Sequence, residues 1–195
     1  MKRHLRIPLF LLISLLNSLA SYASNEMSFH QLGVKTGMSD NYIQAIERDK
    51  YGFMWFATRD GLNRYDGYHF KTYTTLRQGA YNNSVEWVAE DAAGNIWIKT
   101  PVNYCFYDRE MDELDNRTEL LLHKIGIFES PRQLFIDDDK NLWCVADNTL
   151  YYYIFSDETL YKQSLPGSVN IADMACRNKR CYILMTDGNV INIDW

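Results

Sequence analysis

The chain has 195 residues, a formal net charge of −5, and 47% hydrophobic and 14% aromatic residues. That is the composition of an ordinary globular domain, and it excludes a collagen-like rod or a disordered tail. With no basic stripe to neutralise phosphates, nucleic acid is excluded as a partner of this chain.

Residues 1–23 read as a secretory signal peptide: a basic start (Lys2, Arg3, Arg6), the apolar run "IPLFLLISLL", and small residues with Ser21 and Ala23 where a signal peptidase reads. An uncleaved anchor is disfavoured because the run is short for a membrane span. Removing those three cations leaves 17 basic against 25 acidic residues, a net −8. The mature chain is expected to be exported. Residues 24–37 follow, and "MSFHQLG" within them matches the later "HFKTYTT", so it is expected as a ring-closing strand.

From residue 38 the chain repeats. Asp49, Gly52, Trp55, Thr58, Tyr65 and Asp66 return 42 residues later as Asp91, Gly94, Trp97, Thr100, Tyr107 and Asp108. Ile43 and Ile46 return as Val85 and Val88. A further shift of 46 brings Asp137, Trp143 and Tyr153 into register, with Lys140 where glycine stood. A fourth, degraded copy, "DMACRNKRCYILMTDGNVINID", lacks the tryptophan. The spacing of three suggests a helix, but Phe53, Trp55, Phe56 and Tyr65 favour strands and the glycines break helices. Each copy therefore reads as strand, turn, strand, turn, strand, turn, strand. Asp49 and Gly52 make the first turn, Gly61 belongs to the second, and the tryptophan fills the space between neighbouring sheets. A period near 42 is that of a four-stranded propeller blade. The expected fold is an all-β propeller with repeats at about 38–79, 80–125, 126–167 and an incomplete 168–195.

Export allows disulfides to persist. Cys176 and Cys181 bracket the four polar residues of an expected hairpin, so they are either bridged or two buried thiols. Cys105 and Cys144 complete the set, and no cysteine or histidine spacing makes a metal site. "DDDKN" at 137–141 reads as a solvated turn rather than a calcium loop, lacking a spaced terminal glutamate.

The pattern D-x-x-G-x-x-W-x-x-T-x-x-G-L-x-x-Y-D, preceded by "GMSDNYI", resembles the two-component-regulator propeller repeat. Copy two has Asn103-Tyr104 in place of the Gly-Leu pair. The resemblance implies the N-terminal periplasmic region of a hybrid two-component sensor, with its histidine kinase outside this chain. It also implies a ring larger than four blades and a membrane link through other parts.

No catalytic constellation stands out, and no cofactor is expected. The turns after Thr58, Thr100 and Ala146 share a propeller face with the links between blades. That face is expected to present Arg59, Asp60, Asn82, Asn83, Asn103, Arg132 and Asn148, whose amides and guanidinium groups suit sugar hydroxyls and acidic sugars. Tyr81 or Trp87 would add a stacking surface. The expected partner is an oligosaccharide or other small ligand. A secreted propeller acting as a protein-interaction scaffold is the alternative, with a homodimer as one way to cover exposed blade faces. A lyase or hydrolase on the same scaffold is the third reading.

Overall fold

In the computed structural model, residues 29–75, 83–167 and 170–195 are described. The signal-peptide segment 1–23, Tyr81 and Asn82 lie outside them. Residues 29–33 carry no strand, so the part of "MSFHQLG" that is described does not form the expected closing strand. From Gly33 the backbone instead winds into a short 3-10 turn, Val34–Thr36.

Fifteen strands follow among the described residues. The first sheet holds β1 (Ile43–Arg48), β2 (Met54–Thr58), β3 (Gly61–Tyr65) and β4 (Phe70–Tyr73), hydrogen-bonded in chain order. The second holds β5 (Trp87–Glu90), β6 (Ile96–Lys99), β7 (Tyr104–Asp108) and β8 (Glu113–Asp115). The third holds β9 (Pro131–Ile136), β10 (Leu142–Ala146), β11 (Thr149–Ile154) and β12 (Thr159–Ser164). The fourth has three strands: β13 (Ile171–Arg177), β14 (Arg180–Met185) and β15 (Val190–Asp194). All pairings are antiparallel meanders. These are propeller blades, and the fold is all-β as the repeat implies. A short helix, α1 (Glu119–Leu122), lies in the link between blades two and three. Its Leu122, with Ile127, joins the core between those blades where β8 is only three residues long.

Three apolar layers hold the blades together. Trp55, Ala57 and Leu62 of blade one meet Val88, Ile96, Ile98 and Cys105 of blade two. Trp97 of blade two meets Leu134, Leu142 and Cys144 of blade three. Trp143, Val145 and Leu150 of blade three meet Met174, Cys181 and Ile183 of blade four. All three tryptophans are at most 1% exposed, so each fills the layer between its own blade and the next. An aromatic of this size removed from such a layer leaves a cavity costing about 3–5 kcal/mol.

The spacing of aspartate and tryptophan has a chemical reason that strand propensity does not supply. In each of the first three blades the indole Nε1 donates to the carboxylate six residues earlier: Trp55 to Asp49 at 3.0 Å, Trp97 to Asp91 at 2.8 Å, Trp143 to Asp137 at 2.8 Å. The other carboxylate oxygen closes the turn, accepting from the backbone N–H of Phe53, Asn95 and Asn141, each at 2.9 Å. A buried indole N–H needs an acceptor, and a buried carboxylate needs donors; each supplies the other. Asp137 is therefore 4% exposed rather than a solvated turn residue. The third position of the turn requires a left-handed backbone. Gly52 (φ 92) and Gly94 (φ 91) supply it without strain, and Lys140 adopts the same region (φ 64) with a side chain. Lys140 Nζ reaches Glu47 of β1, an ion pair that joins the inner strand of blade one to blade three.

Candidate ligand-binding face

Strand direction alternates within each blade, so the β2–β3, β6–β7 and β10–β11 turns lie on one face and the aspartate turns on the other. On the first face Asp60 accepts from Asn83 Nδ2 at 2.9 Å, bringing two of the expected ligand residues together across blades one and two. Asn83 Oδ1 is buried without a partner among the described residues. Arg59 is exposed and lies with its guanidinium 3.6 Å from the ring centroid of Tyr42, a cation–π pair that sequence spacing did not single out. Gln44 of β1 donates to Val85 O at 2.9 Å and Ser84 Oγ at 3.1 Å, tying this corner to the blade link.

Of the other expected residues that are described, Asn103 is committed to its own turn, Asn148 to the segment after β12, and Arg132 of β9 reaches the β10–β11 turn. Asn103 Oδ1 accepts from Thr100 Oγ1 at 2.7 Å, and its backbone carbonyl and N–H bond the same hydroxyl. Asn148 Nδ2 donates to the carbonyl of Gly167. Arg132 reaches Asp147 O at 3.4 Å and is otherwise exposed. The structure thus gathers Arg59, Asp60 and Asn83, with Tyr42 and Gln44, at the blade one–two corner. It leaves Asn103 and Arg132–Asn148 at separate turns. Thr58 and Thr100 recur because their buried hydroxyls close these turns, Thr58 Oγ1 donating to Gly61 O at 2.8 Å.

Between the inner strands β1, β5 and β9 lies a cavity of about 570 Å³, lined by Ile46, Glu47, Trp87, Glu90, Phe135 and Lys140 among others. Trp87 is half-buried there, an aromatic wall beside carboxylates and one ammonium. Such a mixture can stack on an apolar sugar face and bond hydroxyls at its edges. Glu90 is itself anchored, accepting from the backbone N–H of Lys50 at 3.0 and 3.1 Å.

A second polar cluster joins the outer strands of blades one and two. Asp112 Oδ1 accepts from the hydroxyls of Tyr73 and Tyr107, each at 2.6 Å, and from Arg64 at 3.3 Å; Oδ2 accepts from Lys71. Burial alone would raise the Asp112 pKa. The hydrogen bonds from Lys71, Tyr107 and Tyr73, with the Arg64 charge, more than offset this and hold the carboxyl well below its usual range. Tyr73 is shifted the opposite way, by burial and by its bond to Asp112. Every polar group here has a partner, so the cluster reads as a clasp between blades.

Cys176 and Cys181 form a disulfide with Cα atoms 4.1 Å apart, facing each other across the β13–β14 hairpin. Cys105 and Cys144 are free, buried thiols whose pKa values burial pushes up to about 12, so neither is a nucleophile at neutral pH. Among the described residues no group of histidine, cysteine and acidic side chains could hold a metal ion, and no helix is long and apolar enough to cross a membrane.

Residues 37–60, from Gly37 through the aspartate turn to the β2–β3 turn, match the family described as "Two component regulator propeller". Among curated proteins, the chain is 51% identical over 37 residues to "Histidine kinase P4" of Formosa agariphila, a match covering 19% of this chain and 3% of that protein. Among solved structures, it is similar to the extracellular domain of a hybrid two component system from B. thetaiotaomicron, at 18% identity and TM-score 0.46, covering 86% of this chain and 30% of that one. Virginiamycin B lyase from Staphylococcus aureus aligns at 13% identity and TM-score 0.45, over 81% of this chain and 57% of that one. By its match over residues 37–60, the chain carries the two-component regulator propeller repeat.

Proposed function

We propose that this chain is an extracytoplasmic, ligand-sensing propeller segment of a two-component regulator, taking an oligosaccharide and signalling to a histidine kinase carried outside these residues. The observation that carries this reading is the repeat at 37–60 within a blade whose loop corner presents Arg59, Tyr42, Asp60 and Asn83. A guanidinium stacked on an exposed ring beside an amide and a carboxylate offers both a face and hydrogen-bonding groups to a sugar. The test is a thermal-shift and calorimetric screen of neutral and uronic-acid oligosaccharides against the full chain. A ligand that raises Tm in the parent protein and loses affinity in Arg59→Ala supports the reading; no response from any glycan class overturns it.

The exposed side chains Tyr182, Leu184 and Val190 on blade four favour a second reading, a propeller that contacts another protein. Under it, sugars leave Tm unchanged, and a partner protein is retained by the parent chain but not by a Tyr182→Glu variant.

A further inference from the structure

Blade four lacks the carboxylate–indole pair of the other three, and strand register identifies what replaces it. Leu142 of β10 faces Ile136 of β9, one position before Trp143; in blade four Cys181 faces Cys176, one position before Tyr182. Arg177 therefore stands where Asp137 does, and Tyr182 where Trp143 does. Arg177 is exposed and the hydroxyl-bearing ring of Tyr182 is 46% exposed, so neither repeats the buried bond. The turn between them is a tight two-residue one, Asn178 (φ 52) and Lys179 (φ 62), both in the left-handed region, with Arg177 and Arg180 paired across it. The disulfide is the one covalent tie drawn across that hairpin among the described residues, and its sulfurs belong to the layer containing Trp143, Tyr152 and Ile183.

The two cysteines are not equally placed. Cys181 is fully buried, whereas Cys176 is 6% exposed and lines a cavity of about 590 Å³ together with Arg177, Arg180 and Tyr182. Arg177 and Arg180 are ion-paired with Asp138 at 3.3 Å and with Asp194, so access from the cavity rather than local charge sets Cys176 as the sulfur an incoming thiolate meets.

We propose that Cys176–Cys181 is an exchangeable disulfide, open to a dithiol reductant at Cys176, whose reduction loosens the blade-four hairpin from blade three. One thiolate of the reductant attacks Cys176 Sγ, the S–S bond breaks, and Cys181 leaves as a thiolate that is then protonated. The second thiolate of the reductant attacks its own sulfur in the mixed disulfide, releasing the Cys176 thiolate, which is also protonated. The reductant is oxidised to its disulfide and the protein gains two thiols. The rest of the molecule resists such chemistry, because Cys105 and Cys144 are buried in the cores of blades two and three.

The experiment treats the native full chain with dithiothreitol, quenches with iodoacetamide, and locates the labels by mass spectrometry. Hydrogen exchange is followed in parallel. The expected result is labelling of Cys176 and Cys181 but not Cys105 or Cys144, with loss of protection across 171–194 and none across 43–73. A Cys176→Ser/Cys181→Ser chain is expected to show the reduced exchange pattern with or without reductant. Labelling that requires denaturant overturns the proposal, as does protection across 171–194 that is the same in the reduced and oxidised protein.

Discussion

The outward faces of the first and last blades have the same strand alternation and opposite fates. On blade one, Phe56 is 6% exposed, with Phe70 packed edge-on against it, and Asn63 is fully buried, with Ser39 of the preceding segment bonded to it. Asn63 Oδ1 accepts from the backbone N–H of Ser39 and from Thr72 Oγ1, each at 2.9 Å, and its Nδ2 donates to Ser39 Oγ at 2.8 Å. On blade four, Tyr182, Leu184 and Val190 occupy the register positions of Trp143, Val145 and Leu150. They are 46%, 41% and 59% exposed, where their blade-three counterparts are fully buried. A blade does not bury a face by having apolar residues on it; something must lie opposite. Blade one is covered by a polar key that fits one asparagine, and blade four offers the apolar surface that blade three uses to hold its neighbour.

The sharpest way to break this comparison is to truncate the matched pair. Trp143→Ala is expected to cost about 3–5 kcal/mol, from the cavity beside Tyr152 and the buried Asp137 left without its indole donor. Tyr182→Ala is expected to cost at most about 0.5 kcal/mol, as an exposed substitution should. Urea unfolding of both variants checks this, and equal costs would mean that the blade-four face is covered in solution.

Asn63→Ala comes next, at about 2 kcal/mol, since it leaves the Ser39 N–H without its acceptor in a buried setting. Faster hydrogen exchange across 33–41, with 131–164 unaffected, would localise the loss to the covering segment.

A smaller effect is expected from Asp112, whose clasp lies on the opposite face of blade one. Its folded pKa is depressed, so the stabilisation is fully present above the ordinary carboxylate range and is lost as pH falls through and below it. The Asp112 side chain is 41% exposed, which screens the pair, and Asp112→Asn is expected to cost about 1 kcal/mol at neutral pH. Stability measured from pH 7 downward should converge for parent and variant; curves that stay parallel would remove the clasp from the account.

The smallest effect on stability is expected from Arg59→Ala, within about 0.5 kcal/mol, because its ring contact with Tyr42 is exposed. A larger loss of Tm would make Arg59 part of the scaffold rather than of the ligand corner.

Much of the blade was readable from residues near each other in the chain. The aspartate, the left-handed turn position and the tryptophan lie within one hairpin, so their spacing repeats wherever the hairpin repeats. The candidate site was less readable. Asn103 and Asn148 carry the same amide as Asn83, yet they spend it on Thr100 in the same turn and on Gly167 beyond β12, which composition cannot distinguish. Tyr42 went unnoticed because it stands 17 positions before Arg59 and outside the repeated motif.

By itself the sequence determined the strand–turn–strand unit and its number of copies, since local hydrogen bonds between fixed offsets are written into any one repeat. Only the tertiary structure decided which faces are buried, which polar groups are already satisfied and how the clasp at Asp112 is assembled. Its partners Arg64, Lys71 and Tyr73 lie 39 to 48 positions away in another blade. Contacts between blades depend on how whole sheets stack, and no periodicity within one strand carries that information.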